Sequence, residues 1–312
     1  MSKRIKPRLE FRYYQIPIGE PCLALLGQKW IQSYGSGIDY LHFHNYMEIG
    51  YCYDGCGELV LGKVSETFGK GKFSVIPKNY PHTTNSKLGT VSSWEYLFID
   101  PSKVFKEMYG SSSTIGSKIL RRVNAKAHLL EVDKYPEMAG KIQMIIEVMR
   151  NCEEFYLEEA KGLVQALLLE IARMNRGTED DRIEDHGQKG FILIAKAIDY
   201  ISDHYMEPLK VSELSEKCHM SEAHFRRLFS SYMKMSPMEY INSVRINIAC
   251  DYMRKTNDSI FDIAHKCGFT TESTFHRNFK KVMNVSPSEW RNSPENWERQ
   301  LLKFDIHTEE GW

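Results

Sequence analysis

The chain has 312 residues, of which 42% are hydrophobic and 26% charged, an ordinary globular composition that allows two or three domains. The 41 basic residues balance 41 acidic ones, so the net charge identifies no class of partner. No apolar run approaches the roughly 20 residues of a membrane-spanning helix, and the basic N-terminus is followed by no apolar segment, so we expect neither a membrane partner nor a secretory signal. Seven scattered cysteines without paired zinc-binding spacing favour reduced thiols and a cytoplasmic location.

Residues 11–100 are rich in aromatic and β-branched side chains, and turn signals such as Asp54-Gly55 and Gly69 to Gly71 interrupt them at short intervals. This pattern is typical of several short antiparallel strands in a barrel or sandwich. We therefore expect residues 1–135 to form a β-barrel at the start of a multi-domain α+β fold.

A string of possible metal ligands lies inside this region. His42 and His44 are two residues apart, so on a strand they point to one face. Glu48 follows them, and His82 comes from a later segment, so the four side chains could converge. Three histidines and one carboxylate are a suitable ligand set for a divalent transition metal. The spacing resembles the two motifs of cupin barrels, although Asn79 stands where the second motif usually has Gly.

Three interpretations of this string stay open: a bound metal, a metal-free pocket for a small-molecule effector, and a purely structural role. Aromatic side chains in the same region would suit stacking on a sugar ring, and they would equally suit an ordinary barrel core. The candidate effector-binding residues are His42, His44, Tyr46, Glu48, His82, Trp94 and Tyr96.

Residues 136–175 have the spacing of amphipathic helices. Apolar residues recur at helical intervals from Ile142 to Met149 and from Leu163 to Ile171, with a break near residues 152–156. Two such stripes exceed what a small barrel needs to cover itself, and exposed stripes usually mark an interface, so we expect this helical pair to form a homodimer. Residues 176–190 are polar and charged and predict an interdomain linker.

The C-terminal third contains an internal repeat with an offset of 50 residues. The segments that begin at Ser221 and Thr271 are identical at 8 of 20 positions, where chance would give about one. In each copy a short helix leads to a turn, at His219 or Gly268, and then to a second helix with a Ser or Thr N-cap. This pattern indicates a helix-turn-helix unit, whose second helix enters the major groove of DNA. Basic residues on the second helices argue against hairpins that serve only packing.

The stretches DIAHKCGF from Asp262, FHRNFKK from Phe275 and SPSEWR from Ser286 match the signature of one family. Residues 191–291 thereby resemble the DNA-binding domain of the AraC/XylS family of bacterial transcription regulators. The resemblance implies two helix-turn-helix units within residues 191–292, a long helix between them at roughly Pro237 to Lys255, and a tail at 293–312. It implies Ala223, Arg226, Arg227, Glu272, Ser273, His276 and Arg277 as base-reading candidates. Lys280 and Lys281 are expected to contact phosphates.

The same resemblance implies a ligand-responsive regulator and not an enzyme, because cupin sensor domains commonly precede AraC-type DNA-binding domains. The implied partners are a double-stranded DNA operator, a small-molecule effector and RNA polymerase. Family resemblance favours activation of carbohydrate-utilisation genes, and no cofactor is required beyond the possible divalent metal. Two alternatives stay open: a cupin metalloenzyme fused to a DNA-binding module, and a constitutive regulator without a ligand.

Overall fold

The computed structural model describes residues 8–12, 14, 16–17, 19–35, 40–110, 112–177, 189–233 and 235–293. The expected linker at 176–190 and the expected tail at 293–312 fall almost wholly outside these residues. The chain divides after residue 183 into two compact units, which we call the sheet unit and the helical unit.

The sheet unit consists of strands and four α-helices. Its strands are β1 (Arg8–Arg12), β2 (Leu23–Leu25), β3 (Ile31–Gln32), β4 (Tyr40–His44), β5 (Met47–Asp54), β6 (Cys56–Leu61), β7 (Val64–Gly69), β8 (Lys72–Ile76), β9 (His82–Ser86), β10 (Ser92–Ile99) and β11 (His128–Glu131). Its helices are α1 (Pro101–Tyr109), α2 (Thr114–Val123), α3 (Pro136–Asn151) and α4 (Tyr156–Met174), and a 3-10 turn covers Gln28–Trp30.

The described strands form two sheets. One has the order β1-β4-β9-β6-β7, and the other has the order β11-β8-β5-β10-β2 with β3 also paired to β10. Only β1 and β4 among these pairs are parallel. The prediction of a multi-domain α+β fold is confirmed. Its finer form, a closed barrel, is not seen in the described residues, because β7 pairs only with β6 and β11 only with β8, which leaves separate sheet edges.

The central strands β5 and β10 are buried on both faces, which accounts for their nearly continuous apolar sequence. Ile49 and Leu97 belong to the core that this sheet shares with α3 and α4. The alternate residues point to the opposite face, where Trp94 contacts Phe68 of the other sheet with ring centroids 5.0 Å apart. The layer between the two sheets is therefore lined by every second residue of β5 and β10.

Helices α3 and α4 lie against the six-stranded sheet. The apolar stripes predicted for 136–175 are buried in the core of the same chain: Met138, Ala139, Ile142, Ile145, Ile146, Val164, Leu167, Leu168, Ile171 and Ala172. The reason given for a homodimer, that these stripes lie uncovered, is therefore wrong, since the sheet covers them. Met144 and Phe155 are the large apolar side chains that α3 and the turn after it leave exposed.

The sequence pattern did not predict α1 and α2, which lie inside the region expected to be all β. Asp100 caps α1 by accepting hydrogen bonds from the N–H groups of Ser102 and Lys103, and Pro101 occupies the first turn. Ser113 caps α2 in the same way. Phe105 of α1 and Val123 of α2 are buried in the core shared with α4.

The helical unit contains α5 (Lys189–His204), α6 (Val211–Lys217), α7 (Glu222–Met233), α8 (Pro237–Lys255), α9 (Ile260–Lys266), α10 (Glu272–Met283) and α11 (Pro287–Asn292). Helix α8 runs through the unit and packs on both α7 and α10. Its bounds agree with the long helix expected at Pro237 to Lys255. None of the helices in the described residues combines the length and the apolar character that crossing a membrane requires.

Candidate nucleic-acid interface and His–Glu cluster

The helical unit contains the same turn geometry twice, between α6 and α7 and between α9 and α10. The second residue after the first helix is left-handed in both: His219 has φ 54° and Gly268 has φ 84°. The next N–H then donates to the carbonyl of a small buried residue, Met220 to Ser215 at 2.9 Å and Phe269 to Ala264 at 3.0 Å. The repeat in sequence is thus a repeat in backbone hydrogen bonding.

The second helix of each unit starts with a side-chain cap. Ser221 accepts from the N–H of His224 at 3.4 Å, and Thr271 accepts from the N–H of Thr274 at 3.3 Å. The inner faces of α7 and α10 carry equivalent buried phenylalanines: Phe225, Phe229, Phe275 and Phe279. These rings fix which face of each helix remains in solvent.

The outer faces of α7 and α10 carry the base-reading candidates. Six of them are exposed, namely Ala223, Arg226, Arg227, Glu272, Ser273 and Arg277, and His276 is half-buried. Arg226 donates twice to the carboxylate of Glu222, at 2.9 and 2.7 Å, and His276 lies 3.4 Å from Glu272. Within the described residues, Arg227 and Arg277 form no ion pair. These two arginines hold equivalent positions in the repeat.

The C-terminal half of α10 adds two exposed lysines. Lys281 pairs with Glu239 of α8 at 2.7 Å, whereas Lys280 has no ion pair among the described residues. Together with His276, Arg277 and Ser286 they line one shallow concavity. A concave surface with three cationic side chains suits the phosphate backbone of DNA.

A second cluster of functional side chains lies in the sheet unit. His42 and His44 are on β4, Glu48 is on β5 and His82 is on β9, opposite His42 in the strand register. One ligand atom of each residue lies within 4.8 Å of the others, and all four side chains are buried. Asn79 precedes this strand with φ 61°, so it takes the left-handed conformation that Gly would take more readily.

The hydrogen bonds of the cluster fix the orientation of two imidazoles. His44 Nδ1 lies 2.7 Å from the carbonyl oxygen of Tyr46, and His82 Nδ1 lies 2.9 Å from that of Tyr80. A carbonyl only accepts, so each Nδ1 carries the proton. The Nε2 atoms then face the carboxylate of Glu48, at 3.0 Å for His44 and 3.6 Å for His82.

When the imidazoles are neutral, this arrangement places the lone pairs of the Nε2 atoms opposite those of the Glu48 carboxylate, so that both groups are hydrogen-bond acceptors. Burial lowers the pKa of His44 and, further, that of His42, so the uncharged forms are favoured. Burial alone would raise the pKa of Glu48, but positive charge on the neighbouring His82 and His44 would outweigh it and lower the pKa. With neutral imidazoles this positive charge is missing. A neutral Nε2 and an ionised carboxylate both offer lone pairs, so a cation shared between them would stabilise the cluster.

The aromatic candidates lie close to this cluster but are not equally accessible. Trp94 and Tyr96 are buried on β10, with their rings stacked at 5.9 Å between centroids. Gly50 makes room for them, since a Cβ there would lie 3.0 Å from the ring of Tyr96 and 3.2 Å from that of Trp94. Tyr46 is half-buried in the bend between β4 and β5. Trp94 and Tyr96 are thus core residues next to the cluster.

Several buried charged residues were not singled out from the sequence, and two of them, Glu95 and Arg245, make long-range contacts. Glu95 lies on β10 between Trp94 and Tyr96 and points to the helix side, where it accepts from Arg150 of α3 at 2.7 and 2.6 Å. In the helical unit, Arg245 of α8 donates to the carbonyls of Tyr205 and Glu207, at 2.7 Å each. Both contacts join segments about 40 or more residues apart, which local patterns do not predict.

Comparison with known proteins places the chain in one class, the DNA-binding transcriptional regulators. A family model described as "Helix-turn-helix domain" matches residues 214–293. The chain is 30% identical over 100 residues to the regulatory protein SoxS of Salmonella typhimurium. The aligned region covers 32% of this chain and 94% of SoxS. It is 28% identical over 254 residues to the lactose operon transcription activator of Staphylococcus xylosus, covering 78% of this chain and 87% of that protein.

Among solved structures, ToxT from Vibrio cholerae O395 is 14% identical, with 87% of this chain and 95% of that chain covered and a TM-score of 0.38. The chain spans 16 to 40% of the length of three other curated relatives. The match to SoxS covers nearly the whole of that relative, and the chain belongs to the AraC/XylS family of transcriptional regulators. The relatives named here are regulators and not enzymes.

Proposed function

We propose that the protein binds a double-stranded DNA operator by placing α7 and α10 in two successive major grooves. The observation that carries this proposal is the pair Arg227 and Arg277, which are exposed, equivalent in the repeat and without an ion pair among the described residues. An arginine can bind the O6 and N7 atoms of guanine with two hydrogen bonds. Two such arginines, one in each unit, would fix two base positions on one face of the DNA.

The remaining side chains of the two outer faces have lesser roles in this proposal. Ala223 offers a methyl contact, for instance to thymine, and Ser273 offers a hydroxyl. Arg226 and His276 must leave Glu222 and Glu272 before they reach a base. Lys280 and Lys281 contact phosphates and set the position of α10 without reading sequence.

The test is a footprint on a site selected from a pool of random duplexes. Wild-type protein should protect two subsites about 10–10.5 base pairs apart, since that is the spacing of major grooves on one face. Arg227→Ala and Arg277→Ala should each weaken binding by about 1–3 kcal/mol and relax one base position in a different subsite. Lys196→Ala, which removes an exposed charge from α5, is the matched control. Protection of a single groove, or equal effects of all three variants, would contradict the proposal.

We further propose that the sheet unit is a cupin-like effector sensor and that the protein acts in the cytoplasm with RNA polymerase. The similarity to the lactose operon transcription activator extends over 78% of this chain, so it includes much of the sheet unit. This supports activation of carbohydrate-utilisation genes and a sugar as effector. A homodimer formed through the helical pair would have to use the side chains that this pair leaves exposed, among them Met144 and Phe155.

For the His–Glu cluster we propose a divalent transition metal. The donor set fits, because three imidazoles and one carboxylate converge within 4.8 Å in a buried site. The Nδ1 atoms of His44 and His82 are bonded to backbone carbonyls, which orients the Nε2 lone pairs inward. A bound cation would replace the opposed lone pairs with four ligand bonds and would tie β4, β5 and β9 together.

A further inference from the structure

A basic cluster lies in the sheet unit and shares no residue with the His–Glu cluster or with the outer faces of α7 and α10. Its members come from α2, the segment after it, and the C-terminal end of α4: Lys118, Arg121, Arg122, Lys126, Arg173 and Arg176. Residues 118–126 and 173–176 contain these six cations and no carboxylate, although the whole chain has equal numbers of basic and acidic residues. We call these six residues the α2–α4 basic cluster.

The two parts of the cluster are held together by a buried asparagine. Asn175 donates to the main-chain carbonyl of Arg122 at 2.8 Å, so the C-terminal end of α4 abuts that of α2. The Oδ1 atom of Asn175 lies 2.8 Å from His128 Nε2. This contact brings Arg173 and Arg176 next to the basic face of α2.

On α2 the cations share one face. Arg121 and Arg122 lie three and four residues after Lys118, and residues at these intervals are neighbours on a helix. The opposite face carries Val123, which is buried in the core. The cations are exposed except Arg122, which is half-buried, and none of the six has an ion pair among the described residues. Their charge is therefore presented to solvent.

Compensation of helix dipoles does not account for so many charges. Each helix C-terminus carries about half a negative elementary charge, so two of them amount to about one. Two carboxylates lie near the cluster: Glu170, which is ion-paired with Lys141 at 2.9 Å, and Glu66, which acts electrostatically on His128. Six cations are about twice the roughly three opposing charges of the helix ends and these carboxylates, and the surplus points to a polyanionic partner.

We propose that the α2–α4 basic cluster binds the phosphate backbone of DNA next to the operator, as a contact of the sheet unit that adds to those of α7 and α10. This inference rests on the proposed DNA binding of the helical unit. Arg176 ends the cluster, and Lys189, 13 residues further along the chain, begins α5. A segment of this length spans at most about 45 Å when fully extended. DNA carries one charge for every 1.7 Å or so of its axis, and a tether of this length permits the cluster to reach a duplex that the helical unit holds.

The proposal is tested with the full chain and a labelled duplex of about 60 base pairs of random sequence, which extends beyond the two grooves of one operator. The cluster variant is Lys118→Gln, Arg121→Gln, Lys126→Gln. The control variant is Lys29→Gln, Lys70→Gln, Lys87→Gln, which removes three exposed charges from turns and ends of strands elsewhere in the sheet unit. The binding constant is measured by fluorescence anisotropy between low and moderate salt.

The slope of log K against log salt changes by about 0.9 for each phosphate contact. The cluster variant should lose about two to three units of slope, and the control variant less than one. Arg173→Gln with Arg176→Gln, a second cluster variant on α4, should lose about one to two units. Thermal unfolding of each variant shows that the sheet unit is folded.

Equal slopes for wild type, cluster variant and control variant would overturn the inference. So would tighter binding by the cluster variant, because removal of a phosphate contact cannot strengthen binding. An unchanged slope together with weakened binding by Arg277→Ala overturns this inference alone. Wild-type protein that binds no duplex overturns the proposed function instead.

Discussion

At the scale of single residues, a few buried atoms of the His–Glu cluster determine which ligand atoms face its centre. His44 and His82 each have one nitrogen committed to a backbone carbonyl, so only the other nitrogen can serve the cluster. Glu48 Oε2 lies within 3.6 Å of both Nε2 atoms. Because little solvent reaches these atoms, their mutual repulsion is weakly screened, and a bound cation would have a large stabilising effect there.

We therefore expect the purified protein to bind one equivalent of Co²⁺ or Zn²⁺ with an increase in thermal stability. His82→Ala should abolish the binding, since three ligands remain and one imidazole position is empty. The Co²⁺ form should show the visible absorption of a site with nitrogen and oxygen ligands. Because the metal binds the native state, it increases the free energy of unfolding. This increase grows with the metal concentration once that concentration exceeds the dissociation constant.

His128→Ala is the control for this experiment. His128 is also in the sheet unit, but its Nε2 is bonded to Asn175 and lies outside the cluster. The His128→Ala variant should therefore bind metal as the wild type does. If titration calorimetry finds no binding to wild-type protein treated with chelator and dialysed, the cluster is a metal-free network with a proton shared between His44 and Glu48.

The residues of this cluster were identified from the sequence, but their convergence was not fixed by it. The spacing of His42 and His44 predicts a common face on a strand, as the structure has it. The register that sets His82 opposite His42 depends on the pairing of β4 with β9, 40 residues apart, and no local pattern encodes it. The pairing of Arg226 with Glu222, in contrast, follows from a spacing of four residues on a helix.

At the scale of elements, the two helix-turn-helix turns have the same backbone conformation but use different residues for it. Both need a left-handed residue, and the first unit uses His219 where the second uses Gly268. The second turn is also more crowded, because a Cβ on Gly268 would lie 2.6 Å from the carbonyl oxygen of Tyr205. Arg245 holds that carbonyl in place by a hydrogen bond of 2.7 Å.

Gly268→Ala should therefore destabilise the helical unit by about 2 kcal/mol or more, since left-handed strain costs roughly 1–2 kcal/mol and the contact with Tyr205 adds to it. His219→Gly should change stability by less than about 1 kcal/mol, because relief of strain is offset by the greater entropy of the unfolded chain. Urea unfolding of a fragment of residues 184–312 gives both values.

His219→Ala is the control, since it keeps a Cβ in the same left-handed position. Its stability should stay close to that of the wild type. A Gly268→Ala variant as stable as His219→Ala would show that the backbone near Tyr205 moves aside without cost. The crowding at Gly268 could not be deduced from the repeat, because it depends on the segment after α5 and not on the turn itself.

Prediction from sequence also failed where the elements are short and have no repeat. The helices α1 and α2 were missed, although each begins with a good cap, because residues 100–124 combine short apolar runs with Gly and Ser. The stripes of α3 and α4 were recognised, but their partner was not. Whether a stripe faces a sheet of the same chain or a second copy depends on tertiary packing, which the periodicity does not contain.

At the scale of the whole molecule, the proposed sensor function would require segments of the sheet unit that respond to a bound effector. Strand β10 has the required two-sided character. Trp94 and Tyr96 face the layer between the sheets, while Glu95 faces the helices and is bonded to Arg150 near the end of α3. A small shift of β10 on effector binding would thereby alter α3 and the turn that follows it.

We expect the isolated fragment of residues 184–312 to bind the selected DNA site with no dependence on any sugar, because it lacks the sheet unit. In the full chain, Tyr96→Phe should weaken effector binding, since it removes one hydroxyl from the layer between the sheets. Glu95→Gln should keep effector binding and lose the response, because it weakens the bond to Arg150 without changing that layer. An effector must favour one of two arrangements, since equal affinity for both shifts nothing.

The measurement combines a panel of monosaccharides and disaccharides in thermal-shift assays with a transcription reporter driven from the selected DNA site. Lys141→Gln is the control, because it breaks an ion pair between α3 and α4 that does not involve β10. It should bind the effector and respond as the wild type does. If Glu95→Gln responds fully, β10 does not transmit the signal through Arg150. If no sugar stabilises the wild type and reporter activity is the same in every condition, the sheet unit is no sugar sensor and the constitutive alternative is favoured.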